Sequence, residues 1–279
     1  GGAGDDTIDG GAGNDLLTGD AGDDTIAGGA GTDIAVFAGN GEDYTFASSA
    51  DGLTVTITDT NTGDVDTVTG VETLRFADAD IGMSRDGTDD HMILTGTIEA
   101  DTITVVGDVG IEVLGTAGDD ILTGDRGDDI LEGSSGNDTI AGGAGDDTID
   151  AGADDDIVAG GAGEDTIEGG AGDDDIAGGA GDDTIDGSAG NDILAGDAGD
   201  DTIDGGAGDD IEGFAGSQAD YTFESSADGE TITVTHVSTG DADSVTNIET
   251  LSFDDGDIDV SLDTNGLVLT GLAADSIKI

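Results

Sequence analysis

A nine-residue unit recurs through this sequence and keeps its phase within each run, and this period constrains the fold more than any other feature. From the first residue the chain reads GGAGDDTID, GGAGNDLLT, GDAGDDTIA and GGAGTDIAV. A second run starts at Gly115 and holds ten full units to Asp204, followed by a shortened unit at 205–213. A fixed period of this kind is the sequence signature of stacked structural repeats.

Two positions of the unit, written G-G-x-G-x-D-x-U-x with U aliphatic, are the same in nearly every copy. The eighth position is aliphatic in the full copies, whereas the copies that end the two runs carry Ala35 and Glu212 there. In the unit at 151–159, Ala151 and Asp154 replace glycines. The sixth position is always aspartate, and these residues are Asp6, Asp15, Asp24, Asp33, Asp120, Asp129, Asp138, Asp147, Asp156, Asp165, Asp174, Asp183, Asp192, Asp201 and Asp210.

The unit combines a turn and a strand. Glycines at positions one, two and four favour a tight turn, because glycine adopts positive φ and lets backbones approach closely. The last three residues predict a short strand with the eighth side chain inward and its neighbours outward. Two units then form one coil of a flattened spiral, whose coils pair as parallel strands about 4.8 Å apart. We expect an all-β fold, a parallel β-roll (β-solenoid) whose arrays alternate with small strand-rich capping modules.

Two non-repeat modules interrupt the arrays and are copies of each other. Residues 37–81 match residues 214–258 at a constant offset of 177, with 28 identical pairs among 45. All eight aromatic residues lie in these modules, which favours small hydrophobic cores that cap the arrays. The segments LTVTITD at 53–59 and ETITVTH at 230–236 alternate with the period of half-buried strands.

The chain is thus predicted to contain six segments, and because it opens directly on a repeat we expect it to be part of a longer protein. The segments are an array at 1–36, a capping and linking module at 37–95, an irregular first coil at 96–114, an array at 115–213, the second copy of the module at 214–270, and the start of a third array at 271–279.

Charge decides which partners suit the chain. The 67 acidic residues outnumber 4 basic ones and give a net charge of −63, so nucleic acid and anionic membrane surfaces are excluded as partners. No apolar run is long enough to span a membrane. Each unit buries one aliphatic side chain, worth about 1.5–3 kcal/mol, whereas ordering its backbone costs about 1–2 kcal/mol per residue.

Stacked coils also bring rows of aspartate together, which adds repulsion. A hard divalent cation with oxygen ligands removes that repulsion and supplies binding energy at the same positions. Calcium suits a flexible cage of carboxylates and backbone carbonyls better than magnesium does. The sequence therefore predicts calcium as the cofactor of the fold.

The unit resembles the consensus of the repeats-in-toxin (RTX) family, also called haemolysin-type calcium-binding repeats, over both arrays. The resemblance implies a β-roll with calcium held between turns on the same edge by the position-six aspartates. It also implies export of the unfolded chain through a type I secretion channel and folding on calcium outside the cell. With one ion between each unit and the next on the same edge, we expect about ten ions. The resemblance further implies ligands from backbone carbonyls of turn glycines, such as Gly2, Gly4, Gly11, Gly13, Gly143, Gly145, Gly161, Gly163, Gly170, Gly172, Gly179 and Gly181.

Catalysis is not expected, because the chain contains no cysteine, no H-E-x-x-H and no G-x-S-x-G. Its two histidines, His91 and His236, do not occupy matched positions of the duplication. The duplication favours an extracellular structural or adhesive segment of a large RTX adhesin, surface-layer or filament protein, secreted and held at the cell surface. Its partners beyond calcium would be further copies of itself or a cell-surface or matrix component. The alternative is an accessory calcium-dependent β-roll domain of a secreted hydrolase or epimerase.

Overall fold

A computed structural model of the chain describes residues 1–85, 92–226, 229–263 and 266–271. It divides into two compact units, Gly1–Ser135 and Gly136–Ile279. The described residues form strands and turns, with two short 3-10 helices at Gly41–Asp43 and Gln218–Asp220. His91 and nearly all of the expected third array at 271–279 lie outside the described residues.

The first unit contains sixteen strands among its described residues. They are β1 (Gly2–Ala3), β2 (Thr7–Asp9), β3 (Leu16–Leu17), β4 (Asp20–Ala21), β5 (Thr25–Ala27), β6 (Ile34–Val36), β7 (Tyr44–Ser48), β8 (Thr54–Asp59), β9 (Val65–Thr69), β10 (Thr73–Arg75), β11 (Asp80–Arg85), β12 (Met92–Thr95), β13 (Thr102–Thr104), β14 (Glu112–Ala117), β15 (Ile121–Thr123) and β16 (Ile130–Ser135).

The second unit contains fifteen strands among its described residues. They are β17 (Thr139–Ala144), β18 (Thr148–Ala153), β19 (Ile157–Ala162), β20 (Thr166–Ala171), β21 (Asp175–Ala180), β22 (Thr184–Ala189), β23 (Ile193–Ala198), β24 (Thr202–Asp204), β25 (Ile211–Phe214), β26 (Tyr221–Ser225), β27 (Thr231–His236), β28 (Ala242–Thr246), β29 (Thr250–Phe253), β30 (Ile258–Asp263) and β31 (Gly266–Thr270).

The array of the second unit is a parallel β-roll with a period of two nonapeptides. β18 pairs in parallel with β20, which places Ile149 opposite Ile167. β19 pairs with β21 in the same way and places Val158 opposite Ile176. Strands β18, β20, β22 and β24 follow one another in one sheet, and β17, β19, β21, β23 and β25 do so in the other. The predicted all-β parallel β-roll is confirmed.

The eighth position of the unit forms the core of the roll, as predicted. The side chains of Ile149, Ile167 and Ile176 are each only 1% exposed, and the seventh position faces outward. The expected three-residue strands were too short, however, because β17–β23 each span six residues. Glycine and alanine at positions one to three have no bulk to interrupt pairing, so the ladder continues through Gly143 opposite Gly161.

The modules join the roll through parallel strands. In the first unit β9 pairs in parallel with β5, so that Thr67 lies opposite Thr25, and β8 and β7 continue the sheet in antiparallel order. In the second unit β28 pairs with β24 in the same manner, with Ser244 opposite Thr202. Each module therefore extends a sheet of its array, and the β8 and β27 strands confirm the predicted alternating segments.

Aromatic side chains form a small core in each module, as the sequence predicts. Phe37 stacks on Phe76 with 5.4 Å between ring centroids, and Tyr44 lies 4.9 Å from Phe76. In the second copy Phe214 stacks on Phe253 at 5.2 Å. These clusters contain the bulky aromatic residues that the nonapeptides lack.

Candidate metal centre

The position-six aspartates form hydrogen-bonded ladders along the edges of the roll. The backbone amide of Asp156 donates to Oδ1 of Asp174 at 2.8 Å, one coil further on, and the amide of Asp174 donates to Oδ1 of Asp192 at 2.9 Å. The other edge has the same contact from Asp147 to Asp165 at 2.8 Å. From Asp24 onward these side chains are at most 2% exposed, so each ladder is a row of buried carboxylates.

Each position-six aspartate forms one rung of a ladder, and in most rungs the second carboxylate oxygen, Oδ2, makes no hydrogen bond. Oδ2 is buried and has no hydrogen-bond partner, within the described ranges, at Asp15, Asp24, Asp33, Asp156, Asp165, Asp174, Asp183, Asp192, Asp201 and Asp210. A buried ionised oxygen costs several kcal/mol unless another group compensates its charge. Rows of such oxygens are therefore an arrangement that a bound cation would satisfy.

Apart from those of Asp156, whose unit has alanine at position one, and of Asp210, each of these oxygens lies beside the position-one glycine of its own unit. A Cβ added at Gly160 would stand 2.5 Å from Oδ2 of Asp165 and 2.7 Å from the carbonyl oxygen of Gly178, the position-one glycine of the next coil. A carboxylate and a carbonyl oxygen thus face one small space that any side chain would fill. The same arrangement recurs at Gly10, Gly169 and Gly187.

This donor set fits calcium, which takes six to eight oxygen ligands from carboxylates and carbonyls. Among the described residues, no group of three or more His, Cys, Asp and Glu side chains is placed to hold a metal ion. A site in the roll would combine side-chain carboxylates with main-chain oxygens. The position-one carbonyl is one that the sequence interpretation missed, because a glycine at that position gives no sign of its carbonyl direction.

The glycines at positions two and four lie in a different part of the turn. Gly161 and Gly163 adopt positive φ of 122° and 144°. A Cβ at either would collide with the carbonyl oxygen of Gly143 or Gly145, the equivalent glycine one coil earlier. These carbonyls therefore stack along the edge of the roll, and their role as calcium ligands stays a prediction.

The first coils and the irregular stretch also join the ladder. The amides of Asp6 and Asp15 donate to Oδ1 of Asp24 and Asp33 at 2.7 and 2.8 Å, although Asp6 and Asp15 are themselves only half-buried. In the stretch at 96–114, Asp101 donates to Oδ1 of Asp120 at 2.7 Å. Two further position-six residues complete the set, since Asp129 accepts from Ile111 and Asp138 donates to Asp156.

Burial makes these carboxylates hard to ionise. It is the main cause that raises the pKa of Asp156 to about 7 and those of Asp183 and Asp210 to about 6, and repulsion from stacked aspartates adds to it. Burial likewise raises the pKa values of Asp129, Asp165, Asp174, Asp192 and Asp201. The fold therefore holds these negative charges at a cost that a cation would relieve.

A second ladder at position five escaped the sequence interpretation. The amide of Glu164 donates to Oδ1 of Asp146 at 2.9 Å, and that of Asp200 donates to Oδ1 of Asp182 at 3.0 Å. These bonds point to the preceding coil, whereas the position-six bonds point to the following one. The frequent Asp and Asn at position five were a usable signal, since their short side chains readily bond nearby backbone.

The modules contribute further carboxylates to the ladder, although these residues do not belong to nonapeptide units. The amide of Asp24 donates to Oδ1 of Asp66 at 2.9 Å, and the amide of Asp33 donates to Oε2 of Glu72 at 2.7 Å. Burial is the main cause that raises the pKa of Asp66 to about 6. The signal was present, because Asp66-Thr-Val and Glu72-Thr-Leu repeat positions six to eight without the full G-G-x-G sequence before them. The matched residues of the second copy are Asp243 and Glu249.

The fold and the set of oxygen donors together define a class of protein. It is a parallel β-roll whose aspartate-rich nonapeptides present oxygen atoms in rows. A family model described as RTX calcium-binding nonapeptide repeat (4 copies) matches residues 1–35, 114–149, 132–167, 150–185 and 178–212. Both arrays therefore consist of RTX calcium-binding nonapeptide repeats.

Other comparisons add little. No curated protein matches the chain. Among solved structures, the extracellular lipase LipA from Serratia marcescens is similar with 21% sequence identity and a TM-score of 0.21. The match covers 88% of this chain and 36% of the lipase chain, so this chain spans little more than a third of that protein, and so low a TM-score supports no argument. In the described ranges, no helix is long and apolar enough to cross a membrane.

Proposed function

We propose that this chain is an extracellular structural segment of a large RTX adhesin, surface-layer or filament protein, and that it folds when its position-six aspartates bind calcium after export. The observation that carries the proposal is the row of buried Oδ2 atoms without partners, such as those of Asp165, Asp174 and Asp183. These oxygens take no part in the core, which is formed by the eighth position, and a bound cation would compensate their charge.

Within each coil the two carboxylate oxygens of a position-six aspartate have different roles. Oδ1 of a position-six aspartate accepts the amide of the preceding coil and so fixes the carboxylate, as Asp174 does for Asp156. Oδ2 then shares the space beside the position-one glycine with a main-chain carbonyl. A bound calcium ion supplies the positive charge that offsets the repulsion between neighbouring rungs. Without that charge the rows oppose the stacking of the coils.

A structural role is favoured over an accessory role beside a catalytic domain. The array and module together recur after 177 residues, and both modules extend their arrays through the same parallel pairing. Tandem units of this kind add length, and further copies of the chain or a cell-surface or matrix component would be its partners. The complete gene distinguishes the two roles, since more copies of the unit support the first and an adjoining catalytic domain supports the second.

The proposed coupling of folding to calcium is tested by far-UV circular dichroism during a titration from chelator to 10 mM calcium, with magnesium as the control. A cooperative gain of β signal at roughly 0.1–1 mM calcium, absent with magnesium, is expected. A chain that is fully folded in chelator would show that the modules and not the ions hold the structure, and the proposal would fail.

A further inference from the structure

The last position-six aspartate of the first array has no following nonapeptide to complete its site. Oδ2 of Asp33 is buried and, within the described residues, has no hydrogen-bond partner. A Cβ added at Gly28, the position-one glycine of the same unit, would stand 2.8 Å from this oxygen. It would also collide with the carbonyl oxygen of Gly70, which belongs to the module. The module carbonyl therefore takes the place that the next coil fills inside an array.

In the second copy the end of the array likewise meets a carbonyl of the module. Oδ2 of Asp210 is buried without a partner in the described part of the chain, and a Cβ at Gly205 would meet the carbonyl oxygen of Asn247. Both carbonyls come from residues in the left-handed region, with φ of 57° at Gly70 and 51° at Asn247. Asparagine is among the few residues other than glycine that adopt this conformation readily. The shared backbone geometry turns the same carbonyl toward the end of each array.

A carboxylate from each module accepts the backbone amide of the same terminal aspartate. Glu72 accepts the amide of Asp33 through Oε2 at 2.7 Å, and Glu249 accepts the amide of Asp210 at 2.9 Å. In the array this contact is made by the next position-six aspartate. The module thus supplies both elements of a missing coil, a carbonyl and a carboxylate, from residues outside the ranges that the family model matches.

We propose that each module completes a terminal calcium site at the end of its array, formed by Asp33 with the Gly70 carbonyl and Glu72 in the first unit. In the second unit Asp210, the Asn247 carbonyl and Glu249 form the matching site. This inference rests on the proposed calcium binding by the arrays. The terminal ion ties the module to the array, so the last coil of a charged roll is not left with an open row of oxygens.

The direct test is a crystal structure of the calcium-loaded chain. An ion bonded to Oδ2 of Asp33 and to the carbonyl oxygen of Gly70, at the usual Ca–O distance of about 2.3–2.6 Å, is expected. Ions throughout the arrays with none at this end would overturn the proposal and leave calcium binding by the arrays intact. A chain that binds no ions at all would overturn the proposed function as well.

The solution test uses the double variant E72Q/E249Q, which keeps the hydrogen-bond acceptors and removes two charges. Two ions are expected to bind roughly tenfold or more weakly in this variant, as measured by calcium titration against a chelator of known affinity. The control E42Q/E224Q removes one exposed charge from each module and should retain the wild-type number of ions and their affinities. Identical titrations of the wild type and E72Q/E249Q would contradict the terminal sites.

Discussion

The amide of Asp24 donates a hydrogen bond at 2.9 Å to Oδ1 of Asp66, which lies 42 residues further along the chain. Inside the arrays the same bond joins aspartates 18 residues apart, as between Asp156 and Asp174. The additional residues form the β7–β8 hairpin and its connections, and the chain then returns to the register of the roll. The matched bond from Asp201 to Asp243 at 3.1 Å shows that the second module does the same.

Asp243 is therefore expected to connect the second module to its array. Substitution Asp243→Ala leaves the buried amide of Asp201 without an acceptor, which should lower the free energy of unfolding by about 1–3 kcal/mol. Asp243→Asn keeps an oxygen acceptor and should cost less. Urea unfolding in saturating calcium, followed by circular dichroism, measures both variants. Equal stability of the alanine and asparagine variants would show that this bond contributes nothing.

The period of the sequence was sufficient to predict the coil, the inward eighth position and the row of position-six aspartates. It failed where the same contacts arise from a different local sequence. Asp66 and Glu72 occupy rungs of the ladder although no complete G-G-x-G turn precedes either. The repeat pattern identifies the glycine turn. A rung of the ladder requires a carboxylate two residues before a buried aliphatic side chain, as in Asp66-Thr-Val.

The length of the strands and the direction of the glycine carbonyls could not be predicted from the sequence, for a different reason. Both depend on how neighbouring coils pack, and the same glycine is compatible with a turn or with an extended pair. Gly143 has a positive φ of 116° and still pairs with Gly161 in a parallel ladder. A glycine-rich unit therefore indicates that close approach occurs without showing which carbonyl faces the carboxylate.

Position one of the unit should control calcium affinity. Gly160→Ala places a methyl group between Oδ2 of Asp165 and the carbonyl of Gly178, so we expect fewer bound ions and a higher calcium midpoint for folding. Gly213→Ala is the control, because its Cβ would meet only the carbonyl oxygen of Leu194 at an ordinary 3.6 Å. Calorimetric calcium titration measures the number of ions, and an unchanged number in Gly160→Ala would contradict a site at this place.

The unit at 151–159 allows the opposite substitution, from alanine to glycine at position one. Ala151 already occupies position one and is fully buried, and Asp154 adopts the positive φ of 81° that position four requires. The turn therefore forms as in the other units, but the methyl group of Ala151 fills the small space beside position one. Ala151→Gly should bind calcium more tightly than the wild type and should fold at lower calcium concentration in the same titration. A weaker response would show that the methyl group does not restrict the site.

The calcium-free fold should become more stable as the pH is lowered from neutral toward the pKa of an unfolded aspartate. Burial raises the pKa of Asp156 to about 7 and of Asp183 to about 6, above the value of about 3.9 for an unfolded aspartate. A raised pKa means that the folded state binds protons more readily, so this contribution to stability is complete below about pH 4 and is lost as the pH rises through 6 to 7.

In chelator, lowering the pH from 7.5 to 5 should therefore increase the β signal in circular dichroism. In calcium the same change should raise the calcium midpoint, because protons and calcium compete for the same oxygens. Asp156→Asn removes one of the responsible groups and should make both responses smaller. A chelated chain with the same signal at both pH values would contradict this account.

Glu212 occupies the eighth position of the last unit and should be a weak point of the second array. Its side chain is 1% exposed, and burial raises its pKa well above the usual range. Oε1 accepts the amide of Gly196 at 3.2 Å, whereas Oε2 has no partner within the described residues. On either side it pairs with Leu194 and Leu251, so the surroundings are those of an aliphatic residue.

Glu212→Leu should raise the free energy of unfolding by about 1–3 kcal/mol, because it removes a buried carboxyl oxygen that has no hydrogen-bond partner within the described residues. Glu212→Ala removes the same carboxylate but leaves a cavity, so its gain should be smaller or absent. Thermal unfolding in saturating calcium compares the two variants with the wild type. A Leu variant less stable than the wild type would mean that the carboxylate has a partner in the calcium-loaded chain, and Glu212 would then belong with the ligands and not with the core.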